Sequence, residues 1–319
     1  MISKGSRVLG MLAIAAIAAS ACTSTGASQT PSGSASAAAS IVATVPSDQL
    51  IKAGTLTACS DTSYPPQESL DSSNAAVGSD IDLATALAAR LGLALSVKST
   101  TFDSIIPALQ GGSCDIIISA QTITAERLAA VDMIPYFAAG QSFVVLKGNP
   151  ENIKTIDDLC GKTVAAEKGT IEADHVGGTG SGYDATNSLN ANCKAKSKAD
   201  ITLKVFDADT NALAALQATT VSAHFTDEPV AGYEVANGAG KFEEVSAMTL
   251  ERGAEGISVP KTKTGLRDAV KASLLSMMSD GSYTQILTKW GVQSGAIAAA
   301  DVNATPAPAA SAPASASAS

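Results

Sequence analysis

The stretch S-A-Q-T-I-T-A-E-R-L-A-A-V-D-M, residues 119–133, marks a change from an apolar run to a polar turn and then to a helix. The run before it, residues 114–118, is apolar nearly throughout, as strands buried on both faces of a sheet are. Thr124 stands where a helix N-cap is preferred, and Arg127 follows in the first turn. The stretch therefore predicts a buried strand whose carboxyl end leads into a helix N-terminus beside an arginine.

Segments with strand and helix patterns alternate on both sides of this stretch. The predicted strands are Thr55–Cys59, Leu93–Val97, Cys114–Ser119, Ser142–Lys147, Thr163–Ala166, Ile201–Phe206, Ser222–Thr226, Glu243–Val245 and Gly256–Pro260. They form two strand–helix–strand series of about a hundred residues each, which predicts an α/β protein with two lobes. Because ligands of open α/β sheets bind outside the carboxyl ends of the strands, two such edges facing each other predict a cleft.

Both ends of the chain have compositions that do not predict a packed fold. Lys4 and Arg7 precede an apolar run that is too short to span a bilayer, and the run ends in A-A-S-A-Cys22. We expect residues 1–22 to be a lipoprotein signal peptide with the lipid on Cys22; ordinary cleavage nearby is the alternative. Residues 23–46 are expected to form a flexible Ser/Ala-rich tether, and residues 298–319 a disordered Ala/Pro/Ser tail.

The charge of the chain excludes one broad class of function. The net charge is −9 and there is no basic stripe, so we expect no non-specific nucleic-acid binding, which needs clustered Lys and Arg. The five cysteines show no C-x-x-C spacing and there are only two histidines, so neither a zinc site nor a cofactor is expected.

Export makes disulfides chemically reasonable for the four cysteines after Cys22. Cys160 and Cys193 flank a glycine-rich loop, and we expect them to form a disulfide that closes about 34 residues and stabilises the fold by roughly 3–4 kcal/mol. Cys59 and Cys114 lie in apolar strand-like runs, where we expect buried free thiols.

Arg127 is the first candidate for a ligand contact. Backbone N–H groups in the first turn of a helix favour an anion, and an arginine beside them can bind a carboxylate with two parallel hydrogen bonds. The hydroxyl of Thr122 would add a further contact. The alternative is a surface arginine that pairs with Glu126 or Asp132.

Asp227 is the complementary candidate in the second series. It ends the strand that begins at Ser222, so its carboxylate could bind an ammonium group; the alternative is that it caps the helix begun by Glu228 and Pro229. Tyr64 and Phe102 lie near the same junctions and could form walls of a pocket, although Phe102 could instead belong to the core.

Motifs for catalysis and nucleotide binding are absent from the sequence. Residues 161–163, G-K-T, end like a phosphate loop, but Ile156 stands where that loop needs its first glycine. No G-x-S-x-G motif occurs, and neither His175 nor His224 has a nucleophile nearby in sequence. The sequence therefore predicts a binding protein rather than an enzyme.

Eight motifs taken in order resemble those of the family 3 periplasmic solute-binding proteins of ABC importers, the polar amino-acid group. They are GTLTACSDTSYPP (54–66), VGSDIDLA (77–84), FDSIIPALQGG (102–112), SAQTITAER (119–127), the run from Lys147 to Val164, KGT (168–170), TDEPVAGY (226–233) and GSYTQILTKWGV (281–292). The resemblance covers about residues 49–292. It implies a type II periplasmic-binding-protein fold, two mostly parallel sheets flanked by helices and joined by a hinge of two crossings, with lobe 1 at 47–140 and 250–297 and lobe 2 at 141–249.

The resemblance also implies roles for individual residues. Arg127 would bind the α-carboxylate of an amino acid, helped by Thr122 and the backbone amide of Thr170, and Asp227 would bind its α-ammonium. Tyr64 and Phe102 would enclose the side chain.

Two more positions of the resemblance bear on the choice of ligand. Asp61 matches a position that contacts cationic side chains in some members, and Ala120 stands where many members have a serine. The placement of Cys160 and Cys193 is similar to that in actinobacterial members. The identity of the amino acid stays open.

The function implied is capture of a polar amino acid or related zwitterion by hinge closure, and its delivery to an ABC permease in the membrane. The protein would be a monomer, lipid-anchored on the outer face of the cell membrane. One alternative is a cyclohexadienyl-dehydratase-like enzyme, for which Glu68 or Glu167 would be the acid. The other alternative is a ligand-sensing module for a separate receptor.

Overall fold

The computed structural model of the chain describes residues 40–250 and 252–308. The predicted signal peptide, the lipid attachment at Cys22 and residues 23–39 of the predicted tether lie outside this range. Within the range, no helix is long and apolar enough to cross a membrane.

Helices and strands alternate along the chain much as the sequence predicts. The helices are α1 (Ser79–Arg90), α2 (Ile105–Gln110), α3 (Ala125–Ala130), α4 (Ile171–Gly177), α5 (Leu189–Ala195), α6 (Asp209–Gln217), α7 (Glu228–Asn237), α8 (Thr264–Ser279), α9 (Ser282–Lys289) and α10 (Ala299–Asn303). The strands are β1 (Thr55–Ser60), β2 (Ser63–Tyr64), β3 (Glu68–Leu70), β4 (Ala76–Val77), β5 (Ala94–Ser99), β6 (Ile116–Ile117), β7 (Asp132–Ala139), β8 (Gln141–Leu146), β9 (Thr163–Glu167), β10 (Thr202–Phe206), β11 (Ala223–Asp227), β12 (Phe242–Glu244) and β13 (Gly253–Val259).

Lobe 1 is built on a five-stranded sheet in the order β5-β1-β6-β13-β7. Strand β1 is parallel to β5 and β6, whereas β13 is antiparallel to β6 and β7. Successive residues of β1 face opposite sides of the sheet, as the alternation of a strand requires. Leu56 packs with α1, α8 and α9 on one side, and Cys59 packs with α2 on the other.

Lobe 2 repeats this construction with a sheet in the order β10-β9-β11-β8-β12. Strands β9, β10 and β11 are parallel, and β8 is antiparallel to both of its neighbours, β11 and β12. Helices α4 and α5 cover one face and α6 and α7 the other. The predicted two-lobed α/β fold is confirmed, and the three-stranded sheet β2-β3-β4 is an addition that the sequence did not predict.

The chain passes between the two large sheets twice. The first crossing is at Gly140, between β7 and β8, and the second lies between β12 and β13. The two crossings touch, because the Leu250 N–H donates to the carbonyl of Gln141 at 2.8 Å. A Cβ on Gly140 would lie 2.8 Å from the carbonyl oxygen of Leu250, so this close approach requires glycine.

Each lobe contains a disulfide. Cys160 and Cys193 are joined, as expected. Cys59 and Cys114 are also joined, so the expectation of free thiols there is wrong. Cys59 lies in β1 and Cys114 just before β6, and the two strands are neighbours in the sheet. The apolar surroundings that suggested buried thiols are the consequence of this strand pairing.

The folded region extends beyond the boundaries expected from composition at both ends. Ala43 and Val45 pack against the core of lobe 1, so a flexible tether reaching residue 46 is wrong for these residues. Helix α10 lies within the tail expected to be disordered from residue 298, and its Val302 is buried in the same core. Isolated apolar side chains in Ala-rich segments were too weak a signal to predict this packing.

Candidate functional site

A small cavity lies between the two lobes. Its walls come from the carboxyl ends of the central strands and from the turns that follow them, as expected for open α/β sheets. Lobe 1 contributes Tyr64, Phe102, Ala120, Thr122 and Arg127, and lobe 2 contributes Glu167, Thr170, Ile171, Glu172 and Asp227.

Arg127 is buried at the lobe 1 side of the cavity, with 7% of its surface exposed. Its N–H donates to the Thr124 hydroxyl at 3.2 Å, which confirms Thr124 as the N-cap of α3. The guanidinium Nη1 donates to the carbonyl of Thr122 at 2.8 Å, and its carbon lies 5.2 Å from the centre of the Phe102 ring. Burial lowers the pKa of Arg127.

The guanidinium has neutral partners only. Its Nη2 donates to the carbonyl of Gly169 at 3.1 Å, and no carboxylate of the described residues hydrogen-bonds to it. The alternative of a surface ion pair is wrong, because Asp132 pairs instead with Arg267 at 3.0 Å. A buried charge held by carbonyls retains most of its attraction for an anion.

Asp227 lies on the lobe 2 side, at the carboxyl end of β11, and is buried. It is the N-cap residue of α7, but its side chain makes no capping hydrogen bond, so the capping alternative does not account for it. Its Oδ2 accepts from the Tyr64 hydroxyl at 2.9 Å, and its N–H donates to the same hydroxyl oxygen at 2.9 Å.

The electrostatic surroundings of Asp227 oppose its ionisation. Burial, followed by the charges of Glu172 and Glu255, holds the pKa of this carboxyl well above its usual range. A cation beside the carboxyl would favour the ionised form, so the site is better suited to a ligand ammonium than to an empty, charged state.

The two lobes touch across the cavity at several points. Tyr64 of lobe 1 bonds to Asp227 of lobe 2, and Arg127 bonds to the carbonyl of Gly169. At the rim, Lys168 and Asp103 form an ion pair of 2.7 Å. Gly169 has a φ of +82°, and a Cβ there would lie 2.9 Å from the Cα of Asp103, so only glycine allows this closure.

Two glutamates give lobe 2 a strongly acidic wall. Glu172 is buried in the first turn of α4, and its Oε1 accepts from the amide of Gln141 at 3.0 Å. Burial raises the pKa of Glu167 to about 11, and the neighbouring charges of Asp61 and Asp209 act in the same direction. Oε1 of Glu167 has no hydrogen-bond partner among the described residues. The wall therefore favours a cationic group.

Two of the predicted site residues, Asp61 and Thr170, form hydrogen bonds to backbone groups. Asp61 does not line the cavity; it accepts from the N–H groups of Ser63 and Phe102, both at 2.9 Å, and so positions Phe102. Thr170 caps α4, accepting from the Ala173 N–H at 3.3 Å, and its hydroxyl donates to the Glu167 carbonyl at 2.8 Å.

Ala120 lines the cavity without a polar side chain. Its φ is +46°, and its N–H lies 3.1 Å from Oδ2 of Asp80. The missing hydroxyl thus leaves a small apolar patch beside Tyr64.

Sequence reasoning missed Glu172 and assigned Glu167 only to the enzyme alternative. Both flank the K-G-T turn, and an acid on each side of a cavity-forming turn was the available signal. Glu68, the other acid considered for an enzyme, is buried outside the cavity, where its Oε1 accepts from the Ser119 hydroxyl at 2.8 Å.

A two-lobed α/β fold with a buried cation on one side of the cleft and carboxyls on the other defines the class of small-solute binding proteins. The sequence profile of the bacterial extracellular solute-binding proteins, family 3, matches residues 56–293. The chain belongs to this family, which confirms the resemblance.

Several similar proteins bind amino acids. The chain is 30% identical to the arginine-binding protein ArgT of Corynebacterium glutamicum over 267 residues, 83% of each protein. An ancestral arginine-binding protein bound to arginine is 35% identical with a TM-score of 0.64, covering 74% of this chain and 98% of that one. The ancestral amino acid-binding protein AncCDT-1, a precursor of cyclohexadienyl dehydratase, is 31% identical with a TM-score of 0.62, covering 74% and 95%.

Proposed function

We propose that this protein captures a cationic amino acid of the arginine type in the cleft and delivers it to the membrane permease of an ABC importer. The observation that carries the proposal is the surplus of acidic groups around the cavity. One guanidinium faces Asp227, Glu167 and Glu172, so a bound zwitterion leaves acids that only a cationic side chain can match.

The roles follow from where each charge lies. Arg127 receives the ligand α-carboxylate, for which the Thr122 hydroxyl and the N-terminus of α4 are additional donors. Asp227 receives the α-ammonium. Glu167 and Glu172 face the side chain, and Phe102 packs along its methylene groups.

Burial has a consequence for binding thermodynamics. Because burial raises the pKa of Asp227 and of Glu167, the closed cleft favours the protonated form of both carboxyls when no cation lies beside them. A ligand cation stabilises their ionised forms, so binding of arginine is accompanied by proton release. Calorimetry in buffers of different ionisation enthalpy measures this release.

Similar proteins support the same ligand class. The relative from Corynebacterium glutamicum is an arginine-binding protein, and the ancestral protein with 35% identity was solved with arginine bound. The likeness covers 83% and 74% of this chain, more than either lobe alone.

Delivery requires that the protein stays near the membrane after export. We infer that Cys22 carries a lipid and that residues after it connect the anchor to the folded lobes. The protein would act as a monomer, presenting both lobes to the permease, with no catalytic step. Labelling with an alkyne-tagged fatty acid tests the anchor, with Cys22→Ala as the control.

The decisive test compares L-arginine with L-citrulline by isothermal titration calorimetry. The two have nearly the same shape, but only arginine carries a side-chain charge. We expect arginine to bind at least about a hundred-fold more tightly, because an unmatched buried charge costs several kcal/mol. Glu167→Gln and Glu172→Gln should each reduce the ratio of the affinity for arginine to that for citrulline, whereas the exposed control Glu151→Gln should leave this ratio unchanged.

Equal affinity for the two ligands would contradict the cationic assignment and leave the amino-acid clamp intact. A dehydratase is tested in the same samples, since Glu167 holds a proton in the cavity and one structural neighbour is a precursor of such an enzyme. Conversion of prephenate is measured by the absorbance of its aromatic product. Such conversion would show that the protein is an enzyme and contradict the proposed binding function.

A further inference from the structure

Behind the cavity wall of lobe 2 lies a buried group of three titratable residues that the proposed function does not use. Asp209 begins α6, His224 lies in β11 and Glu234 lies in α7. His224 Nε2 lies 2.9 Å from Oδ1 of Asp209, and its Nδ1 lies 3.2 Å from Oε2 of Glu234. All three side chains are almost completely buried.

The arrangement fits a doubly protonated imidazole. Each ring nitrogen faces a different carboxylate, so each can donate one hydrogen bond. Burial of the ring lowers the pKa of His224, but the charges of Asp209 and Glu234 more than offset this, and the pKa lies well above its usual value. On the neighbouring strands, the residues paired with His224 are Val144 and Ala165, which add no charge.

The spacing of the three residues would also suit a metal ion, since one ligand atom from each lies within 4.8 Å of the others. However, the two ring nitrogens of His224 already face separate carboxylates, and a single ion can bind only one of them. A proton on each nitrogen therefore accounts for the observed contacts better than a metal does.

A chain of hydroxyl groups links the triad to the ligand site. The Thr226 hydroxyl lies 3.2 Å from Oδ1 of Asp209 and 3.0 Å from the Tyr64 hydroxyl. Tyr64 in turn donates to Asp227, the proposed ammonium site. Asp209 also meets lobe 1 directly, because its N–H donates to the Ser63 hydroxyl at 3.1 Å.

The single proton of Thr226 can point in one of two directions, and the charge on His224 selects between them. When Nε2 carries a proton, it donates to Asp209, and Thr226 is then available to donate to Tyr64. Tyr64 accepts from Thr226 and from the Asp227 N–H and gives its own proton to Oδ2 of Asp227. When a neutral ring carries its proton on Nδ1, Nε2 is bare and the Thr226 hydroxyl is drawn to donate to Oδ1 of Asp209, so the Tyr64 hydroxyl loses one of its two donors.

We propose that Asp209, His224 and Glu234 form a positioning triad, whose imidazolium orients the Thr226 and Tyr64 hydroxyls at Asp227 and thereby sets the affinity for the ligand ammonium. The proposal rests on the proposed role of Asp227. The charges that reach Asp227 are those of Glu172 of α4 and Glu255 of β13, which lie outside the triad, and that of Asp209, which belongs to it.

The first experiment measures the charge state of the ring without any substitution. The chain has only two histidines, so ¹⁵N-histidine labelling gives two ring systems by NMR. Burial lowers the pKa of His175 to about 3, so His175 serves as the neutral reference. We expect His224 to show two protonated nitrogens at pH 7.5. A neutral His224 at that pH overturns the proposal.

The second experiment measures the pH profile of binding in Glu234→Gln. This change removes one carboxylate from His224 and lowers its pKa, yet Glu234 contacts neither Thr226 nor the cavity. We expect the affinity for L-arginine to fall between pH 6 and pH 8 by about five-fold more than in the wild type. A profile parallel to that of the wild type overturns the proposal.

The link through Thr226 is tested by a double-mutant comparison. In a Thr226→Val background, Glu234→Gln should no longer change the pH profile, because the hydroxyl that transmits the orientation is absent. If Glu234→Gln acted only by weakening the fold, it would lower the melting midpoint in both backgrounds, and its effect on the pH profile would remain in the Thr226→Val background. That result would also contradict the proposal.

Failure of the proposed function is distinguishable from failure of this inference. If Asp227→Asn binds arginine as the wild type does, the ammonium site is wrong. If Asp227→Asn loses affinity while Glu234→Gln keeps the wild-type profile, only the triad is wrong. If the calorimetry shows equal binding of L-citrulline, the same comparisons are made with L-citrulline as the probe, because it carries the same α-ammonium.

Discussion

The two lobes stabilise their buried carboxyl groups in different ways. Each has buried carboxyls behind its wall of the cleft. In lobe 1 these are Glu68, Asp80 and Glu255, whose partners are hydroxyls, an amide side chain and a backbone N–H, with no basic side chain among the described residues bonded to them. In lobe 2, Asp209 and Glu234 share the imidazole of His224.

The difference determines how each lobe responds to protons. Lobe 1 favours the protonated forms of its acids: burial raises the pKa of Asp80 to about 6, and that of Glu68 and Glu255 well above the usual value. Behind the wall of lobe 2, Asp209 and Glu234 instead lie beside His224 as a counter-ion. A buried acid can therefore be stabilised by its own proton or by a cationic partner, and these two kinds of stabilisation are lost at different pH.

The sharpest difference between the lobes is the sign of the charge at the cleft. Arg127→Met removes the cation of lobe 1 and keeps the length of the side chain. We expect the affinity for arginine to fall by about 2–5 kcal/mol, roughly thirty-fold to several thousand-fold, because the ligand carboxylate is left buried without its partner. Calorimetry measures the loss, and Arg267→Met, an exposed arginine of the same lobe, is the matched control.

The disulfides compare the stability of the lobes. The double variant Cys59→Ala/Cys114→Ala removes the disulfide of lobe 1, which joins residues 55 positions apart. The double variant Cys160→Ala/Cys193→Ala removes that of lobe 2, which joins residues 33 positions apart. In the chain-entropy model each bond contributes about 4 kcal/mol, slightly more for the longer loop. We expect the lobe 1 variant to have the lower thermal midpoint. An unchanged midpoint would return Cys59 and Cys114 to the free thiols first expected.

The neutral acids of lobe 1 predict a pH dependence of stability. Because their folded pKa values are raised, the folded state holds protons that the unfolded state releases above about pH 4. The free energy of unfolding should therefore fall as the pH rises from about 4 through 6, by up to about 1.4 kcal/mol per pH unit for each proton. Glu255→Gln keeps the bond from Gln67 and should reduce this slope in urea titrations.

The control for that slope is Glu151→Gln, which changes an acid on the surface of lobe 2. If Glu255→Gln and Glu151→Gln give the same slope, the acids of lobe 1 are ionised in the folded protein, and the contrast between the lobes disappears.

The smallest expected effect concerns the aromatic wall of lobe 1. Phe102→Leu keeps an apolar surface but removes the ring that lies over Arg127. The affinity should fall by about 1 kcal/mol, between the usual sizes of an exposed and of a desolvated cation–π contact, because Phe102 is half-buried and Arg127 is buried. Phe206→Leu in lobe 2 is the matched control, and a loss as large as that of Arg127→Met would mean that Phe102 contacts the ligand side chain more extensively than proposed.

Local signals in the sequence were sufficient for the frame of the molecule and for its two charged poles. The caps and apolar periods predicted both strand–helix series, and Thr124 capping placed Arg127 in the first turn of α3. Asp227 was identified because it ends a strand. These features depend on neighbours within a few residues, which a single sequence contains.

Features that depend on distant parts of the chain were not predictable in the same way. Glu172 resembles any acid that favours a helix N-terminus, and only closure of the lobes places it in the cavity. Cys59 meets Cys114 because two strands separated by a helical segment are neighbours. His224 was set aside because no nucleophile lies near it in sequence, and its partner Asp209 precedes it by 15 positions, on another element.

The contact at Gly140 and Leu250 gives the molecule a mechanical property useful to the experimenter. Because the two chain segments lie against each other, we expect them to act as one hinge. Such a hinge lets the lobes open and close in one direction and resists their twisting against each other. Dyes attached on opposite sides of the cleft would therefore change their separation along one coordinate, and their energy transfer would report occupancy directly. A bulkier residue at Gly140 should alter the resting angle, and with it the threshold concentration of such a sensor, without touching any atom that contacts the ligand.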